Sequence, residues 1–112
     1  MTIPRQQEWK DLGPADLESG QHRGVQVGDE EYVVVANLEG TYHAIDDLCN
    51  HAGCLLSRGP FEEDLIVCPC HHAEFSIRTG ELVSLPRICD DQVRYDVKVV
   101  DARILGRRVE DR

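Results

Sequence analysis

No stretch of this sequence is apolar for long enough to cross a membrane as a helix, which takes about 20 residues. Residues 1–10 are polar and charged, without the apolar core of about 7–15 residues that a secretory signal needs, so the expected location is the cytoplasm. Positive charge is also scarce. Twelve Lys and Arg stand against 21 Asp and Glu, a formal net charge of -9, which repels nucleic acid and anionic membranes and suits basic protein partners. Nothing repeats at a fixed period, and no low-complexity tract or linker divides the chain. Helical patterning is nearly missing: the single candidate runs from Pro14 to Ser19, is ended by Gly20, and amounts to about one turn. A chain of 112 residues predicts a single domain, 1–112, with a modest core and no space for a second, catalytic domain.

What is present is a series of short apolar or alternating runs separated by turn residues: Val25 to Val27, Tyr32 to Asn37, Thr41 to Asp46, Leu65 to Val67, Glu74 to Ile77, Val93 to Val99 and Arg103 to Val109. Seven or more short strands predict an antiparallel all-β domain. Leu38-Glu39-Gly40 and Arg78-Thr79-Gly80 read as hairpin turns with Gly at a positive-φ position. Between residues 47 and 86 the alternation gives way to Gly, Pro and Cys at irregular spacing, which predicts a subdomain inserted into a sandwich-like base. The acidic pairs and runs Asp46-Asp47, Glu62-Glu63-Asp64 and Asp90-Asp91 fall on or near the connections flanking it. They are expected to be solvated and together to form a docking surface.

The chemistry concentrates in that insertion. Cys49-x-His51 is followed, after sixteen residues, by Cys68-x-x-His71. Each pair offers one thiolate and one imidazole. Such a mixed set suits a [2Fe-2S] cluster in which one iron is held by two sulfurs and the other by two imidazoles; the same four side chains could hold a structural zinc ion tetrahedrally. Adjacent His72, strand residue His43 and His22 in a polar turn are read as ordinary side chains, and Cys89 as a small apolar packing residue.

The surroundings of the two pairs narrow the choice. Cys49-Asn50-His51-Ala52-Gly53-Cys54, Cys68-Pro69-Cys70-His71-His72-Ala73-Glu74-Phe75 and the following Arg78-Thr79-Gly80 closely resemble the two cluster loops of Rieske iron-sulfur proteins. The resemblance includes Trp9 to Leu12, the approach Tyr42 to Asp46, and Leu85-Pro86, which is similar to the proline loop that shields the cluster. It extends over about residues 8 to 105, and it implies a Rieske fold: an antiparallel β-sandwich base with a rubredoxin-like cluster-binding subdomain. It also implies one [2Fe-2S] cluster per chain. Cys49 and Cys68 would hold the inner iron, and His51 and His71 the outer iron, with their second ring nitrogens toward solvent.

Cys54 and Cys70 occupy the places where high-potential Rieske proteins carry a disulfide between the loops, which implies a bond here; two free thiols are the alternative, since cytosolic disulfides are uncommon. A second feature points the other way. Ala73 and Phe75 stand where quinol-oxidising members have Ser and Tyr hydroxyls donating to sulfur, so a lower potential is expected than theirs. His72 stands where the family has Gly, and a positive φ is expected for it.

The resemblance therefore implies a soluble Rieske ferredoxin, not itself an enzyme. It would carry one electron from a flavin-containing reductase to a terminal oxygenase or related oxidoreductase, as a monomer when free. Two other readings compete: a fixed redox subunit of a larger assembly, nitrite-reductase-like or arsenite-oxidase-like, and a regulatory module that binds zinc or switches through the Cys54 and Cys70 thiols.

Overall fold

The computed structural model describes residues 9–50, 53–84 and 89–109. Nine strands run through them: β1 Lys10–Pro14, β2 His22–Gly28, β3 Glu31–Leu38, β4 Thr41–Asp46, β5 Phe61–Glu62, β6 Leu65–Val67, β7 Glu74–Ser76, β8 Arg94–Val100 and β9 Arg103–Arg108. No α-helix occurs among the described residues. The one-turn helix expected from Pro14 to Ser19 does not form: Pro14 closes β1, and residues 15–21 make an irregular connection to β2. Two of that connection's backbone groups, Gly20 N–H and the Gln21 carbonyl, bond to Asn37 of β3. Among the described residues the only helical turn is a 3-10 turn at Leu56–Arg58, in a segment without apolar periodicity to announce it.

Six strands form one antiparallel sheet in the order β1-β9-β8-β4-β3-β2. Its edges lie close together, because the Arg23 guanidinium on β2 donates to the Pro14 carbonyl of β1 at 2.8 Å and Lys10 on β1 pairs with Glu31 on β3 at 3.5 Å. The sheet thus curls over its own core of Leu12, Val33, Val35, Ala44, Tyr95 and Ile104. On the opposite face Val34, Ala36, Leu38 and Ile45 meet Leu56, Ile66, Phe75, Ile77 and Leu82. With both faces covered, β3 reads as an unbroken apolar run, Val33-Val34-Val35-Ala36, instead of alternating.

The residues between β4 and β8 carry a second, three-stranded sheet in the order β5-β6-β7. Its Ile66 and Phe75, which face each other across β6 and β7, are fully buried against the large sheet. Tight turns join the elements. Glu39 and Gly40 have φ of 55° and 92°, and Asp101 and Ala102 have 51° and 64°, the double positive φ that suits two-residue hairpins.

Asp46 and Asp47 are not solvated loop charges. Asp46 accepts from the Arg108 guanidinium at 3.0 Å and from the Tyr95 hydroxyl at 2.9 Å. Asp47 is 1% exposed and accepts from the Ser57 N–H and hydroxyl, both at 2.6 Å. Burial pushes its carboxyl above the usual range, against the opposing pull of the two Ser57 bonds. Asp46 ties β4 to β8 and β9 within the base, Asp47 holds the 3-10 turn of the insertion, and both are lost to any docking face. Glu62, Glu63, Asp90 and Asp91 are exposed as expected.

Candidate metal centre

Cys49 follows β4 by three residues, and Cys68 follows β6 directly. The two segments make the same knuckle. In each, the Cys N–H donates to the carbonyl five residues on, Cys49 to Cys54 and Cys68 to Ala73, both at 2.8 Å. In each, the N–H four residues on returns to the Cys carbonyl, Gly53 to Cys49 and His72 to Cys68, both at 2.9 Å. The residue closing each knuckle has positive φ: 73° at Gly53 and 67° at His72. His72 therefore bears out the expectation of a left-handed backbone at a position suited to Gly. Its side chain is exposed.

The knuckles bring Cys49 Sγ, Cys68 Sγ and one ring nitrogen of His71 within 4.8 Å of one another. Both sulfurs are buried, at 2% and 0% residue exposure. His71 Nε2 lies 3.1 Å from Cys49 Sγ and 3.6 Å from Cys68 Sγ. His71 Nδ1 is buried, so the His71 ring does not turn its second nitrogen to solvent. Two thiols and an imidazole converging in this way match the sulfur and nitrogen donors that a Cys2His2 iron-sulfur centre needs. The fourth expected donor, His51, and the Leu85-Pro86 segment lie outside the described residues.

Cys54 and Cys70 are joined by a disulfide between the two knuckles. Ala73 and Phe75 are buried beside the same core, at 2% and 0% exposure, and offer no hydroxyl. His22 has an ordinary place, Nε2 bonding to the Ser57 carbonyl at 2.9 Å and the ring against Phe61, although it lies in β2 and not in a turn. His43 faces the junction of the two sheets, where burial first and then the Arg78 charge lower its basicity.

A polar latch was not legible in the sequence. Asn50, next to Cys49, receives the Asp90 N–H on Oδ1 at 3.0 Å and donates Nδ2 to the Asp90 carbonyl at 2.7 Å. Its own N–H reaches Gln92 Oε1 at 2.9 Å. Gln92, 5% exposed, donates Nε2 to the carbonyls of Asp46 at 2.9 Å and Leu48 at 2.8 Å. No periodicity pairs residue 50 with residues 90–92, so only the tertiary contact reveals it. The latch lays residues 89–92 along the first knuckle. Cys89 there packs against the apolar cluster containing Cys49 and Cys68, and burial, followed by its neighbour Cys49, pushes its thiol up.

Known proteins share this arrangement. The family described as Rieske [2Fe-2S] domain matches residues 8–100. Sulredoxin of Sulfurisphaera tokodaii is 33% identical over 84 residues, 74% of this chain and 76% of its own length. The ferredoxin component of the naphthalene 1,2-dioxygenase/salicylate 5-hydroxylase systems of a Ralstonia species is 32% identical over 100 residues, 88% of this chain and 94% of that one. A solved complex of reduced oxygenase and oxidized ferredoxin in carbazole 1,9a-dioxygenase contains a chain with a TM-score of 0.80 at 27% identity, covering 94% of this chain and 99% of that one. Mirrored knuckles, converging thiols and imidazole, and a family match across most of the sequence lead to one conclusion: this chain belongs to the Rieske [2Fe-2S] family.

Proposed function

We propose that Cys49, His51, Cys68 and His71 hold one [2Fe-2S] cluster within a 47–86 subdomain of a single-domain protein. The chain is a ferredoxin-type electron carrier, not a catalyst. In this reading it is soluble and cytoplasmic, receives an electron from a flavin-containing reductase and delivers it to a terminal oxygenase. The observation that carries the reading is the meeting of Cys49, Cys68 and His71 from two like knuckles.

When bound, the cluster supplies one-electron chemistry at roughly -150 to +300 mV, because neutral imidazoles leave it less negative than an all-thiolate centre at about -400 mV. The protein's own contribution is positional. The knuckle N–H groups bond to backbone carbonyls and so fix both cysteines. The Cys54–Cys70 disulfide holds the knuckles together, and the buried Ile66 and Phe75 anchor the second of them to the base. Ala73 and Phe75 provide no hydroxyl to the sulfurs, which places the potential below that of quinol-oxidising relatives. His51 and His71 form the edge that meets a partner, and exposed Glu62, Glu63, Asp90 and Asp91 supply negative charge for approach.

The test is a visible spectrum of the purified protein with EPR after dithionite reduction. A coloured protein with the lowered average g value of mixed Cys/His ligation supports the reading. A colourless, EPR-silent protein containing zinc overturns it. Reconstitution with a flavin reductase and a terminal oxygenase then tests the partners: turnover that requires this chain is expected.

A further inference from the structure

Gln92 is buried and uses both ends of its side-chain amide. Nε2 donates to the Asp46 carbonyl at 2.9 Å and to the Leu48 carbonyl at 2.8 Å, while Oε1 accepts the Asn50 N–H at 2.9 Å. Carbonyls only accept, so the two on one side fix which end of the amide faces them. The partners fall on every second residue, 46, 48 and 50, along one edge of the chain as it leaves β4. The ladder between β4 and β8 pairs Ile45 with Arg94, and its next rung is the Asp46 N–H donating to the Val93 carbonyl at 2.8 Å. Past that rung the Gln92 amide takes the place of a β8 peptide and carries the pairing up to the first knuckle. Its own backbone is anchored as well, the Gln92 N–H donating to the Gly80 carbonyl at 2.7 Å.

The consequence falls on Cys49. Two peptide units flank it, and their four polar groups are all engaged. The knuckle takes the Cys49 N–H and carbonyl; Gln92 takes the Leu48 carbonyl and the Asn50 N–H. With both peptide planes held, the Cys49 Cα–Cβ bond keeps one direction, the one that brings its sulfur to Cys68 Sγ and the His71 ring. The second knuckle reaches the same end by another device. Pro69 follows Cys68; its ring fixes φ, and it has no N–H to satisfy. Asn50 stands at the matching place in the first knuckle, with an N–H that needs a partner. Resting on the cluster ligation proposed above, we infer that Gln92 is a positioning residue of the metal centre: its carboxamide, standing in for a strand peptide, orients Cys49 toward the cluster. A ligand held in place beforehand loses less freedom when the cluster binds, which favours retention, and it presents one geometry to the iron instead of several.

The test compares the wild type, Gln92→Met and Ile104→Val. Met keeps the length of the side chain and removes both ends of the amide. Ile104 lies in the core on the other face of the large sheet, so its variant loosens the fold without touching the metal loops. Visible absorbance in a chelator gives the rate of cluster loss, urea melts give the stability of the fold, and EPR of the reduced protein gives g values and line widths. Gln92→Met should lose its cluster about tenfold faster than the wild type and show shifted or broadened g features. Ile104→Val should lower the urea midpoint and keep the wild-type loss rate and spectrum. Should Gln92→Met not load, Gln92→Glu, which keeps Oε1 for Asn50 and loses the donors to the two carbonyls, is read in its place with the same expectation. An unchanged EPR spectrum in the Gln92 variant, or cluster loss no faster than in Ile104→Val, would overturn the positioning role and leave the ferredoxin reading intact. A wild type without a Rieske-type signal would remove that reading, and this inference with it.

Discussion

Ala102 sits in the β8–β9 turn at φ 64°, where a Cβ crowds the carbonyl and the left-handed backbone costs roughly 1–2 kcal/mol. Ala102→Gly should therefore stabilise the protein by about 0.5–1 kcal/mol after the entropy of the freer unfolded chain is subtracted, measured as a raised urea midpoint. Gly80 is the converse. At φ 81° an added Cβ would meet the Gln92 carbonyl oxygen, and that carbonyl belongs to the latch segment. Gly80→Ala should lose about 2–4 kcal/mol from combined backbone strain and clash. Tyr95 gives a pH signature. Burial, and then the neighbouring Asp46 carboxylate, push its phenol up to about 12 from 10. A pKa raised on folding means that the unfolded chain ionises first, so Tyr95's contribution is fully present below pH 10 and is lost as the pH rises toward 12. Denaturant melts of wild type and Tyr95→Phe between pH 9 and 12 should converge as that contribution disappears, and ultraviolet titration should show one late tyrosine.

Elements in this fold are short, and their connections carry much of the organisation. The strands with apolar patterning, β2, β3, β4, β6, β7, β8 and β9, were legible because each presents side chains to a core. The two-residue β5 has only Phe61 to bury, and β1 is broken by Gly13 and Pro14; both are strands because of their partners, β6 and β9. The knuckles are a different case. Their backbone bonds and positive-φ residues make them alike, while the disulfide closes the loop between them across a sequence separation of 16 residues. Chain-entropy reasoning gives about 3 kcal/mol for a loop of that size. The Cys54→Ser/Cys70→Ser variant should lose about 2–4 kcal/mol and bleach faster in a chelator, followed by the decay of visible absorbance. Asp47 performs a related task for the 3-10 turn, and Asp47→Ala, which strands the part-buried Ser57 N–H, should cost about 1–3 kcal/mol in a thermal or urea melt.

At the scale of the whole molecule, a curled six-stranded sheet serves as a base, and a small sheet packed on one of its faces carries the second metal loop. No described helix is long and apolar enough to cross a membrane. The net charge of -9 remains after Asp46 and Asp47 have turned inward, since most acidic residues are elsewhere. Electron transfer to a basic partner should slow as salt rises, because screening shortens the reach of steering to about 8 Å at 0.15 M. Stopped-flow rates that stay constant from about 20 to 500 mM salt would remove that steering model. The sequence by itself determined the all-β class, the family and the cysteine and histidine set, because strand alternation and ligand chemistry are written in residue type and local spacing. Tertiary structure alone decided which acidic residues are buried, how residues 50 and 92 lock together, and that Cys89 packs against the core cluster that includes Cys49, because the latch joins positions 42 residues apart and all three depend on burial that no local pattern encodes.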